Sequence, residues 1–111
     1  MPTVTSIKKL FNAASPGLGN ECDVSPNESG GTLEVQVYSM DGATGVGVFE
    51  GKIFPDAPFI KIGAFNYQTN DMVPDISNSI FSLPLSSFCQ IRVNMTSVTG
   101  GTLIITGKGV A

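Results

Sequence analysis

The sequence predicts an all-β fold: a single antiparallel β-sandwich, jelly-roll-like, with an extended N-terminal arm. Three observations predict it. Val, Ile, Thr, Phe and Tyr recur along the chain, as they do in strands. Turn residues, among them 13 Gly and 7 Pro, punctuate it, with breaks about every eight to twelve residues, the rhythm of a sandwich or barrel. Several segments alternate strictly between apolar and polar, which marks strands with one buried face. Capped stretches of helical period are absent.

Residues 1–30 read as the arm and 31–111 as the sandwich domain. In the first part, Thr5 to Phe11 has local apolar character and suits a short strand or a helical turn. Asn12 to Gly19 shows no period, and a short strand is expected near Glu21–Val24. The cluster Ser25-Pro26-Asn27-Glu28-Ser29-Gly30-Gly31 turns the chain.

From there the strands are clear. Leu33, Val35 and Val37 alternate with Glu34, Gln36 and Tyr38. Asp41-Gly42 is a hairpin signal. In Thr44 to Gly51, Gly45 and Gly47 share one face, which suggests a bulge or the close approach of another backbone. Ile53 to Pro58 reads as a turn, Phe59 to Phe65 as a strand, and Asn66 to Asn78 as a long surface loop. Ile80 to Leu83 is a short strand. Cys89, Ile91, Val93 and Met95 alternate with Gln90, Arg92, Asn94 and Thr96. Thr99-Gly100-Gly101 then turns into a last strand, Thr102 to Gly107.

The 111 residues fit one domain, whose 41% hydrophobic content argues against disorder. Only 14% are charged and the net charge is −3. Such a surface is rich in Ser, Thr, Asn and Gly, as is common where a protein stays in contact with neighbours. No basic run exceeds Lys8-Lys9, so nucleic acid is not an expected partner. No apolar stretch reaches the roughly 18 residues of a membrane span, and no membrane partner is expected. The first residues lack the pattern of a signal peptide. In a reducing cytosol, Cys22 and Cys89 are expected as free thiols.

Catalysis is not expected. The chain has no histidine, which removes the commonest general base near neutral pH. No C-x-x-C spacing supports zinc. The carboxylates of Glu34, Glu50, Asp71 and Asp75 read as solvated, and the Asn70–Asp75 loop fits no calcium pattern. The glycines between Gly42 and Gly47 open a strand, whereas a phosphate cradle needs a helix behind it. No cofactor is expected.

The second half carries a resemblance. Phe49-Glu50-Gly51, the strand Phe59-Ile60-Lys61-Ile62, the run from Cys89 to Ser97 and the run from Thr99 to Gly107 resemble small β-sandwich virion proteins of tailed bacteriophages. Those often carry F-E-G-S, followed later by v-R-v-x-v-t-S and s-G-G-t-v-x-v. Here Lys52 stands in place of the usual Ser or Thr, and Phe59 is near the place of a common Trp. Length, rhythm and the front arm look like the capsid decoration, or staple, proteins of short-tailed enterobacterial phages. The resemblance implies a homodimer on the capsid exterior, made in the host cytoplasm. It would clasp neighbouring copies of the major capsid protein and stabilise the shell, and it would not be an enzyme. Under that reading, Ile7, Lys8, Lys9, Leu10 and Phe11 are the candidate partner-binding residues. Ile7, Leu10 and Phe11 would anchor the arm, and the lysines would meet an acidic shell. Ile7 and Phe11 equally suit a strand that completes the domain's own core, because arms and edge strands look alike in sequence. A phage tail or fibre subunit is one alternative. A carbohydrate-binding module is another, with Tyr38 and Tyr67 as its stacking rings.

Overall fold

The computed structural model describes residues 4–110. They form an antiparallel β-sandwich, the expected fold class. The strands are β1 Val4–Ala13, β2 Gly17–Leu18, β3 Cys22–Asp23, β4 Thr32–Tyr38, β5 Thr44–Lys52, β6 Ile60–Ile62, β7 Ala64–Asn66, β8 Asp71–Val73, β9 Ile80–Pro84, β10 Gln90–Thr99 and β11 Leu103–Val110. A 3-10 turn spans Pro26–Glu28. The larger sheet has the order β1-β11-β4-β9-β7-β8, and the smaller has β2-β10-β5-β6 with β3 also paired to β10.

The alternating apolar residues meet between the sheets. Leu33, Val35 and Val37 of β4 face Ile91, Val93 and Met95 of β10 across one core, joined by Leu103 and Ile105 of β11. Phe49 of β5 and Phe81 of β9 join the two layers edge to face, centroids 5.5 Å apart. Such a pair adds about 0.5–1.5 kcal/mol beyond its buried area.

The first thirty residues do not form an arm. β1 runs along β11 from Val4↔Val110 to Ala13↔Leu103. β2 and β3 pair with β10 in the other layer. A bulge between Lys9 and Phe11 adds one residue to β1. It turns the consecutive pair Leu10 and Phe11 into the core. A bulge breaks the two-residue period, so the sequence hides the strand. The expected boundary at residue 30 therefore falls inside one domain.

Two other segments differ from expectation. The single strand expected at Phe59 to Phe65 is two strands in different layers: β6 pairs with β5, and β7 with β9. The chain crosses between sheets at Gly63. The long loop expected from Asn66 contains β8, a short hairpin partner of β7.

The glycines of β5 face inward. A Cβ at Gly47 would meet Met95 Sδ at 2.6 Å, and one at Gly45 would meet Leu103 Cδ2 at 2.6 Å. Both positions let the large side chains of β10 and β11 press onto the β5 backbone. Val46 consequently points to solvent. After Met95 a register shift in β10 brings Val98, out of period, into the core.

Candidate functional site

The five candidate residues of β1 are divided by the strand's two faces. Leu10 and Phe11 lie in the core. Lys8 is also buried, with Nζ 3.1 Å from Glu28 Oε1 and 2.8 Å from the Asp23 carbonyl oxygen. Glu28 in turn accepts hydrogen bonds from Ser6 Oγ at 2.7 Å and from the Ser25 backbone N–H at 3.0 Å. Ile7 and Lys9 point outward, Ile7 being 58% exposed. Three of the five residues thus hold the fold, and two are open to a partner.

Three exposed apolar residues in and beside the smaller sheet gather elsewhere. Ile53, Phe54 and Ile60 are 50%, 63% and 61% exposed. With Pro58, Ile62 and Phe88 they border a groove of about 360 Å³. It opens beside β6, which ends the order of the smaller sheet. A terminal strand offers unpaired backbone N–H and C=O groups to a neighbour. The sequence marks this place only by two large apolar residues, Ile53-Phe54, inside a turn.

Next to the groove the charges are paired off. Phe59 lies under the Arg92 guanidinium at 3.9 Å and near Lys52 Nζ at 4.8 Å. Arg92 Nε donates to Glu50 Oε1 at 2.7 Å, and Asn94 Nδ2 reaches Glu50 Oε2 at 3.4 Å. These contacts stiffen the rim.

The outer face of the larger sheet is different. A groove of about 640 Å³ runs over it, lined by Glu34, Gln36, Tyr38, Ile80, Thr106 and Lys108 among others. Tyr67 borders a second depression that shares Ile80. Both tyrosines singled out in the sequence therefore lie on this one face. Tyr67 Oη donates to Glu34 Oε1 at 2.7 Å, and its ring meets Phe65 edge on at 5.2 Å. The bond to the carboxylate is the largest of the influences that raise the Tyr67 hydroxyl's pKa. Glu34 Oε2 is sealed from solvent with no hydrogen-bond partner. The alternation placed Glu34 on an outer face but gave no sign of this orphaned oxygen.

Other candidates do not converge. Among the described residues, no three His, Cys, Asp or Glu side chains come close enough to hold a metal. Asp75 sits 3.8 Å from Lys61 instead. Cys22 and Cys89 are free, and burial pushes the Cys22 thiol pKa up. Among the described residues, no helix is long and apolar enough to cross a membrane.

No family model and no curated protein matches the sequence. Two solved structures share the fold. One is the SPBc2 prophage-derived protein YomS, at TM-score 0.82 and 17% identity, covering 100% of this chain and 96% of that one. The other is the PBSX exported protein XepA, at TM-score 0.75 and 21% identity, covering 98% of this chain and 40% of that one. The chain thus spans less than half of XepA. At these identities the likeness establishes the sandwich and its connectivity.

Proposed function

We propose that this chain is a structural protein of a phage particle, one that docks as a homodimer on the outside of the capsid and staples neighbouring major capsid protein subunits. It acts by binding, with no catalytic step. The observation that carries the reading is the apolar cluster of Ile53, Phe54 and Ile60 beside the unpaired edge of β6. Burying such residues against a partner contributes about 25 cal/mol per Å² of apolar surface. Repeated over many copies on a symmetric shell, weak contacts gain by avidity. The prophage origin of YomS adds support, as does the run of motifs from Phe49 to Gly107.

In this reading the cluster meets the capsid protein, and the outward Ile7 and Lys9 add a second contact. The test adds the purified chain to undecorated heads and follows binding and heat resistance. Saturable binding at micromolar concentration with raised heat resistance is expected. No binding to heads at that concentration overturns the reading, and binding to assembled tails alone assigns the chain to the tail instead.

A further inference from the structure

The docking reading centres on the opposite layer and touches the outer face of the larger sheet only at its β1 edge, through Ile7 and Lys9, which leaves the rest of that face unused. We propose that the groove on this face binds an acidic, hydroxyl-rich glycan.

The strand register arranges the face in rows. Ile7, Lys108, Glu34, Ser82 and Phe65 stand opposite one another across β1, β11, β4, β9 and β7. The next row is Lys9, Thr106, Gln36 and Ile80. Tyr38 follows Gln36 on β4, and Tyr67 follows Phe65 just beyond β7. An amide, hydroxyls, one carboxylate and two ammonium groups are therefore spread over one surface, with a tyrosine toward either side. Sugar rings need this mixture: hydrogen-bonding groups for their hydroxyls and apolar or aromatic surface for their C–H faces. A groove of about 640 Å³ lies within the usual range for small-ligand sites.

Two observations make the site specific. Glu34 Oε2 has lost water and has no donor, whereas Oε1 is held by Tyr67 Oη. Tyr67 is half exposed, so a ligand hydroxyl can take its place as the donor to Oε1. Lys108 stands directly opposite Glu34 on β11, yet the ion pairs of the described residues do not include it. It is exposed and open to a ligand carboxylate, sulfate or phosphate. On the smaller sheet, by contrast, Arg92 and Glu50 already satisfy each other. The Glu34 carboxylate accepts from hydroxyl donors, and the exposed Lys108 ammonium asks for an acid. A neutral glycan answers only the first.

The test titrates the full chain with 3′-sialyllactose, a hyaluronan tetrasaccharide, a heparin tetrasaccharide and neutral maltotetraose, followed by amide chemical shifts and calorimetry. At least one acidic probe is expected to bind and to shift residues of β4, β9 and β11, with maltotetraose at least tenfold weaker. Glu34→Gln and Lys108→Ala are each expected to weaken that binding tenfold or more. Lys108 is exposed, so its variant keeps the test valid if Glu34→Gln disturbs the fold. Three results overturn the proposal: no acidic probe binding at millimolar concentration, maltotetraose binding as tightly as the acidic probes, or unchanged affinity in Lys108→Ala. Capture of a protein on this face in place of every glycan also overturns it. None of these outcomes bears on binding to phage heads, so the two proposals fail separately.

Discussion

Lys8 Nζ lies 3.1 Å from Glu28 Oε1, and the two side chains are only 8% and 4% exposed. This ion pair joins β1 to the 3-10 turn and fastens the first strand to the segment that leads into β4. Burying two charges is costly, and their attraction offsets that cost only with good hydrogen bonding. Here Ser6, Ser25 and the Asp23 carbonyl supply it.

Removing the cation takes away the ammonium that Glu28 Oε1 faces at 3.1 Å in a buried setting. Lys8→Met is therefore expected to destabilise the chain by about 3 kcal/mol. Lys8→Met combined with Glu28→Gln is expected to lose clearly less, because the Gln keeps the capping bond without a charge. Urea unfolding of the variants measures both. Equal losses in the single and double variants would refute the ion-pair account.

Gly47 of β5 is a second weak point. Its missing side chain leaves room for the Met95 thioether and the Asn94 carbonyl. Gly47→Ala forces those groups away and is expected to lower stability by about 2 kcal/mol, the scale of overpacking. Thermal unfolding measures this. A neutral result would mean that Met95 and the β10 backbone yield to an added methyl more readily than the packing implies.

Asp41 predicts a pH dependence. The hydrogen bond from Ser39 Oγ, at 2.6 Å, is the main influence holding its pKa below the ordinary range, and the Thr102 N–H adds to it. A carboxyl pKa depressed by folding adds stability above the unfolded value of about 3.9. That stability is lost as the pH falls through the folded value. Asp41→Asn is thus expected to melt below the native chain at pH 6, with the gap closing as the pH drops below about 4. Melting curves from pH 6 to pH 2 check it, and a constant gap would refute it.

Phe54 separates binding from folding. It is 63% exposed beside the smaller groove. Phe54→Glu is expected to change stability by no more than about 0.5 kcal/mol. Its affinity for undecorated heads is expected to fall at least tenfold. A variant that folds and binds heads like the native chain would move the docking surface away from this cluster.

The buried faces of the alternating strands were legible where the two-residue period held. β4 needs only Leu33, Val35 and Val37 to show its buried face, and the core of β10 follows from Ile91, Val93 and Met95. Where the period breaks, the sequence falls silent. Leu10-Phe11 suits an arm's apolar tip as well as a core strand until the bulge in β1 turns both residues inward. Phe59 to Phe65 reads as one strand because nothing local says that its halves hydrogen-bond to different sheets. Lys8 looks like a surface charge because its partner lies twenty residues away.

The candidate surfaces divide in the same way. Residue types alone fixed the sandwich and offered no histidine for catalysis, because strand periodicity and side-chain chemistry are local properties. Tertiary structure alone decided that Lys8, Leu10 and Phe11 belong to the interior. It also gathered Ile53, Phe54 and Ile60 beside an unpaired strand edge, and it stranded one oxygen of Glu34 without a donor. Each of these depends on which distant strand lies alongside, and that choice is made by burial and pairing summed over the whole core.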